Sequence, residues 1–228
     1  MIRMHLVVYS GGMDSYTLLH HVINSIAINE KSEKEIVTAI SFNYNQRHKI
    51  ELRYASEECS RLGIEHIILP VPVLSMIGGS ALTDSHIKVP EGHYAEPSMK
   101  LTVVPGRNTV MLALALAYAE SLIQNDLNAK IWVYYGAHGG DHHIYPDCRP
   151  KYVNAMQGVY RESSEYNVFF SAPFLYKTKG GIAALGKSMK LDYSKAWSCY
   201  VGDKEPCGKC GACNERAEAM AFADIKDI

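Results

Sequence analysis

The stretch MHLVVYSGGMDS, residues 4–15, decides the fold of this 228-residue chain. It opens on an apolar, β-branched run typical of a buried strand, which two glycines then interrupt. Apolar residues follow at three- and four-residue steps, at Leu18, Leu19, Val22 and Ile26, and this spacing predicts a helix. The stretch therefore predicts a strand, a glycine turn and a helix, the opening unit of an α/β protein.

Strand-like and helix-like patterns alternate along the rest of the chain. Further strands are predicted at 36–42, 64–69, 130–136 and near 168–171. Helices are predicted at 48–62 with Gly63 as its cap, at 109–124, near 151–163, after Thr178 and from about residue 214. This alternation predicts a doubly wound, mainly parallel sheet in a single domain over 1–228. Residues 70–101 have no sustained period, and we expect them to form an active-site loop.

The glycine turn SGGMDS would lie at the carboxyl end of the first strand, where doubly wound sheets bind their ligands. Glycine allows a positive φ, so successive backbone N–H groups can face an anion at the helix N-terminus. The predicted phosphate-binding residues are Ser10, Gly11, Gly12, Met13, Asp14 and Ser15. The turn has neither the Walker pattern nor the dinucleotide-binding pattern, and a simple tight turn with Ser10 as helix cap is the alternative.

Four of the six cysteines lie in the last thirty residues, at Cys199, Cys207, Cys210 and Cys213. Four thiolates at this spacing predict a closed tetrahedral Zn²⁺ site, a zinc knuckle over 199–216. Such a site has no ligand position for water, so its role would be structural. An iron–sulfur cluster is the alternative. Cys59 is predicted to be a core residue, whereas Cys148 lies in a polar turn and is a candidate site residue.

The composition is that of a soluble globular protein, with 47% hydrophobic and 21% charged residues. A formal net charge of -1 gives no general attraction to nucleic acid or to acidic membranes. The longest apolar run, 110–119, is well short of the ~20 residues that span a bilayer. The N-terminus lacks the pattern of a secretory signal. We therefore expect a cytoplasmic protein that binds neither membranes nor nucleic acid directly.

Five segments, in order, resemble the 7-cyano-7-deazaguanine synthases, the QueC family of PP-loop ATP pyrophosphatases. They are SGGMDS at 10–15, FNYNQRH at 42–48, VPGRN at 104–108, YPDCR at 145–149 and CYVGDKEPCGKCGACNER at 199–216. The resemblance implies a Rossmann-like nucleotide-binding fold and a ligase that uses 7-carboxy-7-deazaguanine, ammonia and ATP with Mg²⁺. It implies that the nitrile forms through an adenylated carboxylate and an adenylated amide. It also implies a homodimer.

The resemblance assigns the leaving pyrophosphate to the 10–15 loop, with Asp14 positioning Mg²⁺ or the phosphates. Lys179 is the candidate for neutralising the charge that develops there, and a solvated surface lysine is the alternative. Arg107 and Asn108 are assigned to the bound nucleotide. A cation such as Arg107 at a helix N-terminus opposes the helix dipole unless it binds an anion.

The second strand would present Gln46, Arg47 and His48 at its carboxyl end. Arg47 is predicted to meet the substrate carboxylate, and a neutral His48 to take a proton from attacking ammonium. A solvated helix start is the alternative for all three.

The deazaguanine ring presents an edge of N–H donors that a carboxylate can accept in bidentate fashion. Asp141 and Asp147 are the candidates for this carboxylate, and the spacing does not choose between them. Tyr145 is predicted to stack on the ring, and Gln46 and Arg149 are further candidates for substrate binding.

The chain departs from the family pattern in two places. Asn45 replaces a usual glycine, and asparagine tolerates the left-handed φ of such a turn. Gly139, in the stretch AHGGDHHI, falls where many relatives carry an acidic residue, and His138, His142 and His143 crowd this turn. They are candidates for a second metal site, but we expect them to be polar loop histidines.

Two other functions fit these motifs. A related enzyme would stop at the amide or transfer the deazaguanine to a macromolecule. A non-catalytic zinc-knuckle module would bind nucleic acid, but the near-neutral charge argues against it.

Overall fold

The computed structural model describes residues 2–28, 34–202 and 204–227. Five parallel strands form one sheet in the order β3-β2-β1-β4-β5. The strands are β1 (Ile2–Val8), β2 (Lys34–Asn43), β3 (Glu65–Pro70), β4 (Lys130–Tyr134) and β5 (Val168–Ser171). The chain winds outward from β1 to one edge, returns to β4 and continues to the other edge. The prediction of a doubly wound parallel sheet is therefore confirmed.

Helices connect the strands and cover the sheet. They are α1 (Met13–Ile28), α2 (Ile50–Leu62), α3 (Val73–Ile77), α4 (Arg107–Ile123), α5 (Pro150–Glu162), α6 (Lys179–Ser188) and α7 (Gly211–Phe222). Two predicted backbone details are confirmed: Gly63 caps α2 with a φ of 65°, and Asn45 adopts a φ of 59°. The last helix begins at Gly211 rather than near residue 214, and its first turn carries the last cysteine of the cluster.

The core has two layers because neighbouring strand residues face opposite sides of the sheet. Leu6 of β1 packs with α4 and α5, whereas Val7 packs with α1, α2, α6 and α7. Cys59 is fully buried in the second layer, as predicted. Among the described residues, no helix is both long enough and apolar enough to span a membrane.

The 70–101 segment is mostly irregular, apart from α3 and a 3-10 turn at Pro97–Thr102. Backbone hydrogen bonds fix it at separate points: Ala81 donates to the carbonyl of Leu101 (2.7 Å), and Gly92 donates to that of Lys209 (3.0 Å). The second bond ties the segment to the cysteine-rich region. These contacts replace the regular ladder of a helix or sheet, which explains why the sequence shows no period here.

Candidate active site

A large cleft opens at the carboxyl ends of β1 and β4, within the described part of the chain. At this point the chain runs from β1 toward one edge of the sheet and from β4 toward the other, and doubly wound proteins bind ligands at such a switch point. Of the predicted site residues, the cleft wall contains Ser10, Gly12, Met13, Asp14, Ser15, His48, Arg107, Asn108, Asp141, Tyr145 and Lys179. Tyr94 and Met99 of the 70–101 segment also line it.

The 10–15 loop is held in shape by its own side chains and by α2. The Ser15 hydroxyl donates to the Gly12 carbonyl (3.0 Å), and the Gly12 N–H donates to the Ser10 hydroxyl oxygen (3.1 Å). Gly11 has a φ of 91°, and a Cβ there would lie 3.0 Å from the carbonyl carbon of Glu51 and closer still to its oxygen. Only glycine fits both this φ and this approach. The first-turn residues of α1 line the cleft, and the N–H groups of a first helical turn have no intrahelical acceptors.

Lys179 begins α6 and lies between two carboxylates of the cleft. Its Nζ is 2.7 Å from Glu215 Oε2 and 3.1 Å from Asp14 Oδ2, and its side chain is only 12% exposed. Burial alone raises the pKa of Asp14, but the charges and hydrogen bonds of Lys179 and His138 together outweigh burial and hold this pKa well below its usual range. The alternative of a solvated surface lysine is therefore wrong.

His138 also belongs to this charged group. It is 1% exposed, and its Nε2 lies 3.4 Å from Asp141 Oδ2 and 3.6 Å from Asp14 Oδ2. The donor atoms of His138, Asp141 and Glu215 all lie within 4.8 Å of one another, so this group could hold a metal ion. Our expectation of merely polar loop histidines is wrong for His138. It describes the exposed His143 correctly.

Arg107 forms the opposite wall of the cleft. Four tyrosines surround it: Tyr44, Tyr135, Tyr145 and Tyr200. Its Nε donates to Asn108 Oδ1 (3.1 Å), and it has no carboxylate partner among the described residues. A half-buried cation without a counter-ion, in an aromatic wall, is suited to bind a planar anion.

Five predicted site residues do not line the cleft: Gly11, whose Cα faces the Glu51 carbonyl, and the four described next. Arg47 is exposed and donates to the carbonyls of Asp84 (2.9 Å) and Ile87 (3.0 Å), so it anchors the 70–101 segment and does not meet a substrate carboxylate. Gln46 is buried behind the wall, where its Nε2 donates to Glu51 Oε1 (3.0 Å). Arg149 is exposed and donates to the His142 carbonyl (2.8 Å), and Asp147 lies outside the lining. Of the two aspartates proposed to accept the N–H edge of the ring, only Asp141 lines the cleft, so its position favours it.

Several lining residues were missed in the sequence analysis, namely Tyr44, Glu51, Tyr135, Tyr200 and Glu215. Three of them lie inside the quoted family segments, but their types are equally common in a core. Glu51 follows His48 by one helical turn, which is a weak signal. Cys148 is 5% exposed, and burial raises its pKa well above the usual range, so it is a protonated thiol at neutral pH.

The four C-terminal cysteines come together beside the cleft. All four sulfurs lie within 4.8 Å of one another, with Cys210 and Cys213 3.5 Å apart and Cys207 and Cys213 3.9 Å apart. The N–H groups of Val201, Gly202 and Cys207 donate to Cys199 Sγ at 3.1–3.3 Å. Hydrogen bonds from neighbouring thiols and from this backbone lower the pKa of Cys199. The cluster can hold a metal and is consistent with a zinc knuckle.

Trp197 connects the cysteine cluster to the 10–15 loop. Trp197 donates its backbone N–H to the Gly11 carbonyl (2.9 Å), and its indole N–H donates to the Cys199 carbonyl (2.8 Å). Trp197 and Tyr200 both line the cleft. A metal held by the cysteines would therefore stabilise one wall of the site.

The strand order and the SGGMDS loop at the switch point define a nucleotide-binding α/β protein of the PP-loop class. A family model described as "Queuosine biosynthesis protein QueC" matches residues 4–224, so the chain belongs to the QueC family.

Curated relatives cover nearly the whole chain. A protein of Pseudoalteromonas atlantica named 7-cyano-7-deazaguanine synthase is 49% identical over 228 residues, which are 100% of this chain and 98% of that protein. A synthase of the same name from Alteromonas mediterranea is 50% identical over 94% of this chain and 92% of its own. These relatives are enzymes, which decides against the non-catalytic module.

Among solved structures, the NMN synthetase of Francisella tularensis has a TM-score of 0.50 at 12% identity, covering 98% of this chain and 78% of that one. This likeness shows the fold alone.

Proposed function

We propose that the protein converts 7-carboxy-7-deazaguanine and ammonia into 7-cyano-7-deazaguanine, with two adenylations by ATP. One observation carries the proposal: a single cleft combines the glycine loop and Lys179 on one side with an unpaired Arg107 among four tyrosines on the other. The first side suits the phosphates of ATP, and the second suits an aromatic acid. The curated relatives, which are matched over nearly their whole length, are named for this activity.

In this proposal, the 10–15 loop binds the departing pyrophosphate. The N–H groups at the start of α1 and the Lys179 ammonium are placed where negative charge develops as the P–O bond breaks. Lys179 is already held at this point by Asp14 (3.1 Å) and Glu215 (2.7 Å). Asp14 offers carboxylate oxygens suited to Mg²⁺, which would neutralise the phosphates when bound with ATP.

Arg107 would hold the carboxylate of the substrate, and the tyrosines would contact the faces of its ring. Adenylation converts the carboxylate oxygen into a leaving group, and ammonia then displaces AMP to give the amide. A second adenylation, on the amide oxygen, lets AMP depart as the nitrile forms. We assign the N–H edge of the ring to Asp141, with Tyr145 stacking on the ring.

We infer that the metal of the cysteine cluster is zinc. Four sulfurs at a Zn–S distance of about 2.3 Å in a tetrahedron are about 3.8 Å apart. The sulfur separations of 3.5 and 3.9 Å agree with this value. The ion would hold the segment from Trp197 to α7 against the cleft and would take no part in the reaction. A cytoplasmic location, a homodimer, a single domain over 1–228 and the absence of direct nucleic-acid binding remain predictions.

The test is a mass-spectrometric assay of the purified protein with 7-carboxy-7-deazaguanine, ammonium and Mg-ATP, in which AMP is counted against product. Two AMP per nitrile is the expected result. Accumulation of the amide with one AMP would favour the related enzyme that stops at 7-amido-7-deazaguanine. No AMP formation would contradict the proposed reaction.

A further inference from the structure

Glu51 and His48 form a buried acid and base in the wall of the cleft, and pyrophosphate departure uses neither of them. Glu51 lies in the first turn of α2, and His48 precedes it by one helical turn. Their relative exposures are 8% and 5%, and both side chains line the cleft. Buried polar groups need partners, so the partners of this pair indicate what it binds.

Protein contacts orient one side of the pair. Glu51 Oε1 accepts a hydrogen bond from Gln46 Nε2 (3.0 Å), and His48 Nε2 lies 3.5 Å from the same oxygen. Gln46 is itself fixed, because its Oε1 accepts from the Tyr44 N–H (3.0 Å) and its Nε2 also donates to the Phe42 carbonyl (3.2 Å). The Glu51 carboxylate is therefore held by a chain of contacts from β2.

The other side of the pair is suited to accept hydrogen bonds. Among the residues that the structure describes, His48 Nδ1 is buried without a hydrogen-bond partner, and the hydrogen bond that Glu51 accepts from Gln46 goes to Oε1 rather than to Oε2. Burial lowers the pKa of His48 to about 3, with a further lowering from Arg107, so the imidazole is neutral and one ring nitrogen is an acceptor. A carboxylate and a neutral imidazole that line the same cleft are suited to a small ligand that has only N–H donors.

The protonation behaviour of Glu51 suits a proton acceptor. Burial raises its pKa to about 7, against the lowering effects of the Gln46 hydrogen bond and of Arg107. At neutral pH a carboxyl of this kind exchanges protons readily in either direction. Arg107 lines the same cleft and lowers the pKa of both groups, so a substrate carboxylate held by Arg107 would share the cleft with them.

We propose that Glu51 and His48 form the ammonium subsite of the enzyme. The Glu51 carboxylate and the neutral His48 imidazole accept hydrogen bonds from the N–H groups of NH₄⁺, and a proton passes to the Glu51 carboxylate. The nitrogen keeps the electron pair of the broken N–H bond and uses it to form the C–N bond with the adenylated carbon. The tetrahedral nitrogen then loses a second proton to the departing phosphate as the C–O bond to AMP breaks. This inference rests on the proposed function and adds to it the binding site of the second substrate.

The test separates the two half-reactions in the full-length protein. Glu51→Gln removes the proton acceptor but keeps the size and the Gln46 contact. The matched control is Glu57→Gln in the same helix, where the glutamate side chain is 66% exposed and pairs only with Arg53 in the described structure (3.6 Å). Each variant is measured for pyrophosphate exchange into ATP with 7-carboxy-7-deazaguanine and no ammonium. Each is then measured for the KM of ammonium chloride at pH 7 and pH 9.

We expect Glu51→Gln to keep exchange within about twofold of the parent, since the group acts after adenylation. Its KM for ammonium should be at least tenfold above that of the parent at pH 7. This ratio should fall at pH 9, where more of the substrate is free ammonia and needs no proton acceptor. Glu57→Gln should match the parent throughout. If Glu51→Gln has an unchanged KM for ammonium and normal exchange, the ammonium subsite is contradicted but the proposed function is not. The same holds if exchange falls as much as the reaction with ammonium does. Absence of exchange in the parent protein would instead contradict the proposed function.

Discussion

Gly11→Ala is the substitution whose effect the structure specifies most fully. The new methyl group would press on the Glu51 carbonyl at the start of α2, and alanine would have to adopt a φ of 91°. The left-handed backbone alone costs about 1–2 kcal/mol. Displacing a packed backbone costs a further ~1–3 kcal/mol. Gly63→Ala is the matched control, because Gly63 has a φ of 65° with no atom within 4 Å of the added Cβ.

Urea unfolding should therefore find Gly11→Ala less stable than Gly63→Ala by about 1–3 kcal/mol. The displaced loop should also lower substrate-dependent pyrophosphate exchange by roughly a hundredfold, since an error of about 1 Å in positioning has effects of this size. Gly63→Ala should keep exchange near the parent rate. Equal stability and equal exchange in the two variants would refute the claim that close packing of the loop against α2 shapes the phosphate site.

Three further predictions concern other parts of the molecule. Burial raises the pKa of Glu51 from 4.5 to about 7. The folded chain therefore holds this proton more tightly than the unfolded chain does, so the contribution of Glu51 to the unfolding free energy is fully present below pH 4.5 and is lost as the pH rises through 7. Glu51→Gln should therefore remove up to about 3 kcal/mol of the decline in unfolding free energy between pH 5 and pH 8 in urea titrations; identical pH slopes would contradict this. Cys213→Ser should lose the bound metal, measured by plasma mass spectrometry, whereas Cys148→Ser, whose thiol lies outside the cluster, should keep it. If both variants retain the metal, the cysteine cluster is not the metal site. Arg216→Lys should lower the unfolding free energy by about 1–3 kcal/mol, since a lysine cannot reach Asp227 and the carbonyls of Ala196 and Tyr193 together; a loss below about 0.5 kcal/mol would show that this fork matters little.

The parts of the fold that follow from local sequence were predictable. A β-branched run followed by two glycines specifies the turn at residue 10 through backbone sterics alone, and Gly63 ends α2 for the same reason. The cysteines could be grouped because three of them lie within one short segment. In each of these cases the interacting residues are close neighbours in the chain.

The composition of the cleft could not be predicted in the same way, because it depends on contacts between distant segments. Arg47 and His48 are adjacent in sequence, yet one faces solvent and the other faces the cleft. Lys179 could not be distinguished from a surface lysine until α6 and α7 were seen to place it beside Glu215, 36 residues away. His138 has the pattern of a polar loop residue, since nothing local indicates that Asp14, 124 residues earlier in the chain, lies beside it.

The most direct test of the account is a crystal structure of the protein with 7-carboxy-7-deazaguanine and a non-hydrolysable ATP analogue. The account predicts the triphosphate on the 10–15 loop with Lys179 at its β- and γ-phosphates, and the substrate carboxylate on Arg107 between the tyrosines. A deazaguanine ring bound away from Arg107, or a triphosphate that does not contact the loop, would contradict it.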